Sequence, residues 1–351
     1  MKIKKFIMTL MVLLTFSTAC NLSYTDNTVS RDSAKSVKWV KADPNRLPTP
    51  TPFLPVMESL ESTLVDQNGV AKPDRPKDTD QKPTAIPTEP KPKRPDGQVN
   101  ILILGSDYRP NSGFRTDVFM LLSIYPKEKT ASILSFPRDL YVNLPGIGNQ
   151  RINVAFPFGG FDLTKAMLEE NFGVTADHYI MTNFYGFRGI IDSLGGVTVN
   201  VGQYLSDHCE LPQGDSSKNC TVYAGPNHMN GETALWYVRS RYSTSDFDRT
   251  RRAQEVTLAI FEKLMSLDAL SRIPDLYNLY LSSVETDMAL SDILPLVPMA
   301  NEILTNPEKL RRSAIGPEHV TPYVLPDSGA NVLLPNYELI QTLIHDSAFT
   351  P

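Results

Sequence analysis

Histidine, tryptophan and cysteine are scarce in this chain: 5 His, 2 Trp and 3 Cys among 351 residues. So few cysteines exclude a small scaffold knit by disulfides, and the scattered histidines match no common zinc spacing. Positive charge is in deficit. The 34 Lys and Arg are outnumbered by 39 Asp and Glu, giving a formal net charge of −5, which excludes the general basic coat of a nucleic-acid-binding protein. No Gly-x-Ser-x-Gly elbow, Walker loop or catalytic cysteine is found, so the familiar covalent and nucleotide-dependent chemistries have no anchor.

Long apolar runs are few. The run from Phe6 to Phe16 follows a basic start, Met1-Lys2-Ile3-Lys4-Lys5, and leads into Ser17-Thr18-Ala19-Cys20. It is short for a bilayer span and reads as an export signal over residues 1–20. Cys20 is the expected lipidated first residue of a lipoprotein, although Ser17 stands where Leu is usual. The remainder is expected outside the cytoplasm, anchored at the outer face of the cytoplasmic membrane. The alternative, an uncleaved anchor, leaves it on the same side. Residues 21–98 hold 12 of the 28 prolines, in runs such as Pro48-Thr49-Pro50-Thr51-Pro52. Such a segment is a disordered, extended linker that cannot build a core, apart from a short helix expected over Val56 to Val65. The two later cysteines, Cys209 and Cys220, lie in a polar, turn-rich stretch. In an exported protein a disulfide closing this surface loop is expected; the alternative is a metal site with His208 and His228.

At Val99 the pattern changes, and residues 99–351 are read as one domain. Ile101–Leu104 is a continuous apolar run of buried-strand type, Val118–Ile124 a second and Ala131–Phe136 a third. The polar link Pro126–Thr130 makes the last two an antiparallel hairpin. Helices are expected over Leu163–Phe172 with Asp162 as cap, along the stripe Phe187, Ile190, Ile191 and Leu194, from Asn230 through Val238, and from near Arg249. Val197–Val201 alternates as a strand, and a strand pair is expected near Thr321–Val324 and Asn331–Leu334. The fold class is therefore α/β of the α+β type, a mixed central sheet flanked by helices.

The chemistry lies in Asp107, Asp117 and a set of arginines. If the first strand runs up, the second down and the third up, Asp107, Asp117 and Arg138 converge on one rim. Carboxylates beside guanidiniums suit a hard divalent cation with a pyrophosphate, the metal taking carboxylate oxygen and arginine clasping phosphate. Asp246-Phe247-Asp248 is read as a helix cap, with Arg249, Arg251 and Arg252 crowding the first turn. That placement opposes the helix dipole unless an anion lies there. Arg249 and Arg252, three apart, share a face and are candidates for phosphate; Arg251 faces elsewhere. Arg239 and Arg241 are candidates for a second phosphate. Solvated charges and turn-capping aspartates are the competing explanation for each taken alone.

Seven motifs in order resemble the LytR-CpsA-Psr family of bacterial cell-envelope proteins. They are Asn100–Asp107, Arg115-Thr116-Asp117, Ser135–Asp139, Arg151–Phe156, Asp192–Val197, Ala234–Arg241 and Asp246–Arg249. The resemblance implies a Mg²⁺-dependent phosphotransferase, with Mn²⁺ as an alternative ion. Such an enzyme moves a glycopolymer from a polyprenyl-pyrophosphate carrier to peptidoglycan, and pyrophosphate hydrolysis is a conceivable side activity. By position, Asp107 and Asp117 would hold the metal. Arg115, Arg138, Arg239, Arg241 and Arg249 would bind pyrophosphate, and Asp107 or a neighbour would help deprotonate the acceptor. The family's apolar tunnel for the lipid has Phe156, Phe158, Phe172, Phe184, Ile190 and Ile191 as candidate lining here. One departure stands out: Ala253 follows Arg252 where the family has Gln, and Gln254 comes next. It keeps a second function open, a polyprenyl-phosphate-binding or regulatory envelope protein without turnover.

Overall fold

The computed structural model describes residues 93–108, 113–266 and 283–351. The export signal with Cys20, most of the proline-rich linker and the helix expected over Val56–Val65 lie outside the described residues. The domain takes in a little more chain than its expected start at Val99. Arg94 pairs with Asp177, and Gln98 is buried, its amide donating to the Ala348 carbonyl at 2.7 Å.

Three apolar runs form the heart of a mixed sheet, as their patterning predicts. β1 (Val99–Ser106) pairs antiparallel with β2 (Thr116–Tyr125), and β2 pairs antiparallel with β3 (Thr130–Ser135). Beyond β3, the short strands β4 (Tyr141–Leu144) and β5 (Gly148–Arg151) form a separate hairpin. Helix α1 (Ala155–Phe172) follows, starting well before the expected Leu163 because Gly159 and Gly160 break it rather than precede it. Its end is as expected: Gly173 adopts φ 70°, a left-handed conformation that glycine takes without strain.

β6 (His178–Asn183) then joins β1 in parallel, and α2 (Phe184–Ser193) starts at its end, capped by the Asn183 side chain. Next come β7 (Val197–Val201), a hairpin of β8 (Leu205–His208) and β9 (Asn219–Val222), and β10 (Gly225–Met229), which pairs with β7. α3 (Gly231–Arg239), capped by Asn230, and α4 (Asp246–Leu264) follow. β11 (Val284–Thr286) and β12 (Leu310–Ala314) close the two edges of the sheet, with α5 (Val297–Thr305) between them in sequence. The expected strand pair appears as β13 (Val320–Val324) with β14 (Asn331–Pro335), before α6 (Tyr337–Ile344).

The six-stranded order is β11-β6-β1-β2-β3-β12. Directions follow from the pairings: β1, β3, β6 and β12 run one way, β2 and β11 the other. One rim therefore collects the ends of β1, β3 and β6 and the start of β2. Against one face, Phe119, Phe136, Phe172 and Tyr337 stack in sequence with centroids 5.5, 5.3 and 6.2 Å apart. A second core gathers Ile191, Leu194, Val197, Val199, Val256 and Tyr237, seating α2, α3 and α4 on the β7–β10 pair. Tyr237 and Glu255 lock α3 to α4 with a 2.6 Å hydrogen bond, and Arg251 pairs with the same carboxylate. α2 comes so close to the chain entering β11 that a Cβ on Gly186 would lie 2.3 Å from the Ser283 carbonyl.

The disulfide Cys209–Cys220 is present, with Cα atoms 5.6 Å apart. This removes the alternative of a metal bound by those sulfurs. The bridge is not in a surface loop, however. It closes the β8–β9 hairpin, and both cysteines are buried.

Asp177 secures the entry to the sheet. Its carboxylate accepts from the Asn100 amide at 2.7 Å and from the Arg94 guanidinium at 2.8 Å. Burial alone would raise its pKa, but the Arg94 hydrogen bond and the Asn100 amide hold it below the ordinary carboxylate value. A depressed carboxylate stabilises the fold above the unfolded-state pKa of about 4, and that stability fades as pH falls through the lower folded value. Asp177→Asn is expected to cost about 1–2 kcal/mol at pH 7, a figure reduced for partial solvent exposure. In urea titrations the difference from the unsubstituted protein should shrink as pH falls below the ordinary carboxylate value of about 4.

Candidate functional site

The rim is built by strand direction. Ser106 lies opposite Thr116 across a register shift, so Asp107 leaves β1 beside the residues that enter β2. The Asp107 carboxylate accepts from the Arg115 backbone amide at 2.6 Å and its guanidinium at 2.8 Å, while the Asp107 amide donates to the Arg115 carbonyl at 3.0 Å. Asp117 faces Arg138, which arrives from the end of β3, at 3.0 Å. The Asn153 amide group approaches the other Asp117 oxygen at 3.4 Å.

Arg138 is the hub. Besides Asp117 it meets Asp139 at 3.4 Å and Asp246, the first residue of α4, at 3.6 Å. Asp246 also pairs with Arg249 at 2.9 Å. Burial would lower the Arg138 pKa, but the carboxylates of Asp117, Asp139 and Asp246 overcome it and raise the guanidinium above its ordinary value. Arg249 is in the opposite position. Burial lowers its pKa, and although Asp246 works against this, the neighbouring Arg138 charge reinforces it. Burial likewise raises Asp246, against the pull of Arg249 and Arg138. Asp117 and Asp139 add to the pull of Asp246 on Arg249, but burial prevails. Asp117, Arg249, Thr250 and Ala253 line one cleft together with Phe119 and Phe136.

The remaining arginines separate. Arg239 is exposed, its guanidinium 4.4 Å above the Phe184 ring at the end of β6, hence at the same rim. Arg241 is exposed two residues on, across an extended Ser240 with φ −55° and ψ 133°. Arg252 does not share the Arg249 environment, despite the spacing of three. It is 1% exposed, bonded to the Ser240 carbonyl and to Thr244 at 3.0 Å, and lies 5.7 Å over the Tyr237 ring. Its charge holds the 240–244 segment rather than pointing at the cleft.

The start of α4 also differs from expectation. Ser245 is the N-cap and Asp248 completes a capping box, so Asp246 and Asp248 fill the first turn. The arginines fall later, and the dipole conflict read from the sequence does not arise. Two of the apolar candidates are ordinary core: Phe172 stacks on Phe136 and Tyr337, and Ile191 belongs to the α2–α4 core. Phe156 instead joins an aromatic row, with Phe114 at 6.5 Å and Tyr179 at 5.3 Å. Tyr108 and Phe161 extend that row at its two ends.

Sequence reasoning gives no role to Asn153 or Asp139, and takes Asp246 as a cap that neutralises part of the charge of the arginines after it. The Asp246–Arg249 spacing of three was a readable signal; the contacts of Asn153 and Asp139 depend on tertiary pairing. Among the described residues, Ser106 Oγ and Asn153 Oδ1 at the rim have no hydrogen-bond partner, and Arg138 Nε has only its longer ion pairs to Asp139 and Asp246. Among the described residues no three His, Cys, Asp or Glu gather as a metal cage. Hard oxygen donors in ones and twos beside phosphate-binding groups fit Mg²⁺, which takes one or two carboxylates and fills its shell with phosphate oxygen and water. Gln254 does not stand in for the glutamine missing at 253. Its amide donates to Ser135 Oγ at 2.7 Å and the Ser313 carbonyl at 2.8 Å, tying α4 to β3 and β12.

The profile of the LytR_cpsA_psr family matches residues 60–314. The chain is 33% identical over 210 residues to polyisoprenyl-teichoic acid–peptidoglycan teichoic acid transferase TagT of Bacillus subtilis, covering 58% of this chain and 64% of that protein. It is 31% identical over 207 residues to the regulatory protein MsrR of Staphylococcus aureus, covering 58% and 60%. The match thus spans just under two thirds of either relative. Among solved structures, TagT bound to LIIa-WTA aligns with a TM-score of 0.56 at 26% identity, over 72% of this chain and 91% of that one.

Asp246 and Asp248 are neighbours with different work. Asp246→Asn leaves Arg249 without its carboxylate and is expected to destabilise by about 2 kcal/mol, below the range for fully buried pairs. Asp248→Asn disturbs only a cap and is expected to cost about 1 kcal/mol. Urea unfolding of the two variants measures the order.

Proposed function

The chain belongs to the LytR-CpsA-Psr family, and from that membership we propose a phosphotransferase of the cell envelope, moving a glycopolymer from a polyprenyl-pyrophosphate carrier to peptidoglycan. The observation that supports the reading is the rim, where strand direction gathers the Asp107–Arg115 pair beside the chain of ion pairs Asp117–Arg138–Asp246–Arg249. The teichoic acid transferase name of the Bacillus relative supports the same substrate class.

Each group has a task. Arg138 and Arg249, with Arg115, Arg239 and Arg241, receive the diphosphate, guanidinium to phosphate oxygen. Arg252 fixes the segment that presents Arg239 and Arg241. Asp107 and Asp117 are the residues to hold Mg²⁺, with Mn²⁺ as the alternative; the ion would neutralise charge on the diphosphate oxygens. The aromatic row from Tyr108 to Phe161 offers the polyprenyl chain an apolar path from the rim. The acceptor hydroxyl oxygen bonds to the sugar-side phosphorus, and the bond from that phosphorus to the bridging oxygen breaks. Polyprenyl phosphate then leaves, and the hydroxyl proton passes to a rim carboxylate, Asp107 or a neighbour. The arginines meet the charge that develops in transfer from positions fixed beforehand, so little reorganisation is needed.

The setting follows from the N-terminus. Lipidation at Cys20 would tether the domain to the outer face of the cytoplasmic membrane, with the proline-rich residues that precede Arg94 as the spacer. No helix among the described residues is long and apolar enough to cross a membrane.

A second reading, binding of polyprenyl phosphate without turnover, has one observation in its favour. Ala253 lines the cleft beside Asp117 and Arg249, and Gln254 is committed to the sheet. The full-length protein incubated with a polyprenyl-pyrophosphate glycan, peptidoglycan and Mg²⁺ separates the two. Transfer is expected, falling about 10²–10³-fold in Asp117→Ala and in Arg138→Ala. Equal product from all three proteins contradicts the transferase reading; tight lipid-phosphate binding with no product favours the second.

A further inference from the structure

The β8–β9 hairpin carries an outward face with an unusual composition. Register pairs Ser206 with Thr221 and His208 with Asn219, while Leu205, Asp207, Cys220 and Val222 turn inward and are buried. Strand alternation therefore puts Ser206, His208, Asn219 and Thr221 on the outer side. Ser206 and Thr221 hydroxyls lie 3.2 Å apart. Tyr204 and Tyr223 flank the hairpin with ring centroids 5.5 Å apart, and are 58% and 69% exposed. At the other end Tyr242, 83% exposed, meets the His208 ring edge-on at 6.1 Å. The side chains of this face are hydroxyl, amide, imidazole and phenol, with no Lys, Arg, Asp or Glu among them.

This face is continuous with the arginine segment. Tyr242 follows Arg241 directly, and its backbone amide donates to the buried Asp207 of β8 at 3.0 Å. The Trp236 indole of α3 donates to the His208 carbonyl at 2.9 Å. The disulfide closes the hairpin next to these contacts. A cross-strand tyrosine pair can serve hairpin stability alone. That does not account for Tyr242, which lies off the hairpin and projects into solvent while its backbone is pinned to the hairpin's inner side.

We propose that this face binds an uncharged glycan strand of N-acetylated hexosamines, the acceptor, and leads it toward the arginines. The proposal rests on the transferase reading of the rim. Pyranose rings present flat C–H surfaces that stack on tyrosine, and their hydroxyl and acetamido groups match Ser206, Thr221, Asn219 and His208. Tyrosine offers large amphipathic contact area at small entropic cost. A polyanionic donor polymer is a poor occupant, because none of the side chains that make up the face is Lys or Arg. The arginines, by contrast, attract the phosphorylated end of the donor, so the two substrates approach from different sides of Arg241.

The test is calorimetric titration of the full-length protein with a soluble tetramer of N-acetylglucosamine, and separately with inorganic pyrophosphate plus Mg²⁺. Tetramer binding is expected in the unsubstituted protein. Tyr223→Ala and Tyr242→Ala should each weaken it about tenfold, a loss of the size expected for one stacked ring. Tyr223→Phe should stay within about threefold, and melting temperatures check that each variant is folded. If Tyr223→Ala disturbs the hairpin, Tyr242→Ala carries the test, since that side chain is the more exposed. No tetramer binding, or unchanged affinity in folded alanine variants, overturns the proposal. Pyrophosphate binding in the same samples reports on the rim alone, so loss of the glycan face and failure of the transferase reading give different results.

Discussion

A guanidinium taken out of water needs partners for its charge, and Arg138 meets three carboxylates from three parts of the chain. Asp117 comes from β2, Asp139 from the residue after it, and Asp246 from the first turn of α4. These contacts fix the helix against the rim of the sheet and so decide where Arg249 sits. Breaking one of them would leave the others with charge they cannot share. The fold supplies the meeting place through strand direction, since β1 and β3 end where β2 begins. Gln254 and the Tyr237–Glu255–Arg251 contacts hold the rest of α4 in register with this arrangement.

The charge is unevenly divided within that cluster. Arg138 has more negative neighbours than it needs to stay ionised, while Arg249 is depressed by burial and by Arg138 beside it. The unpartnered oxygens of Asn153 and Ser106 lie among the same elements, and buried polar atoms without partners are costly unless a ligand, ion or water meets them. Away from the rim the chemistry changes from charged to neutral over a few residues. Arg239 and Arg241 give way to Tyr242 and then to the uncharged face of the β8–β9 hairpin. The disulfide hairpin places this boundary beside the arginines.

Much of this was legible in the residues. The apolar runs of β1, β2 and β3 were long enough to give strand, neighbour and direction, and from direction came the convergence of Asp107, Asp117 and Arg138. Asn230, Gly173 and the Gly195–Gly196 pair marked helix ends through local backbone chemistry, which sequence reports well. What was missed depended on partners distant in the chain. β6 reads His-Tyr-Ile-Met-Thr-Asn and β12 Leu-Arg-Arg-Ser-Ala, patterns too polar to announce strands; pairing with β1 and β3 imposes them. Arg249 and Arg252 looked equivalent by spacing. Only packing of α4 against α3 separates a guanidinium in the cleft from one committed to Ser240 and Thr244. The hairpin around the cysteines likewise looked like loop, because its buried residues alternate with the polar ones that face outward.

The central claim is that the four charged elements of the rim act as one receptor for a metal-bound diphosphate. A crystal structure of the protein grown with Mn²⁺ and a methylene diphosphonate, with anomalous scattering to locate the metal, tests it directly. The expected map has manganese between the Asp107 and Asp117 carboxylates, and diphosphonate oxygens within hydrogen-bond distance of Arg138 and Arg249. Manganese bound elsewhere, or a diphosphonate that leaves Arg138 and Arg249 in their present ion pairs, would contradict it.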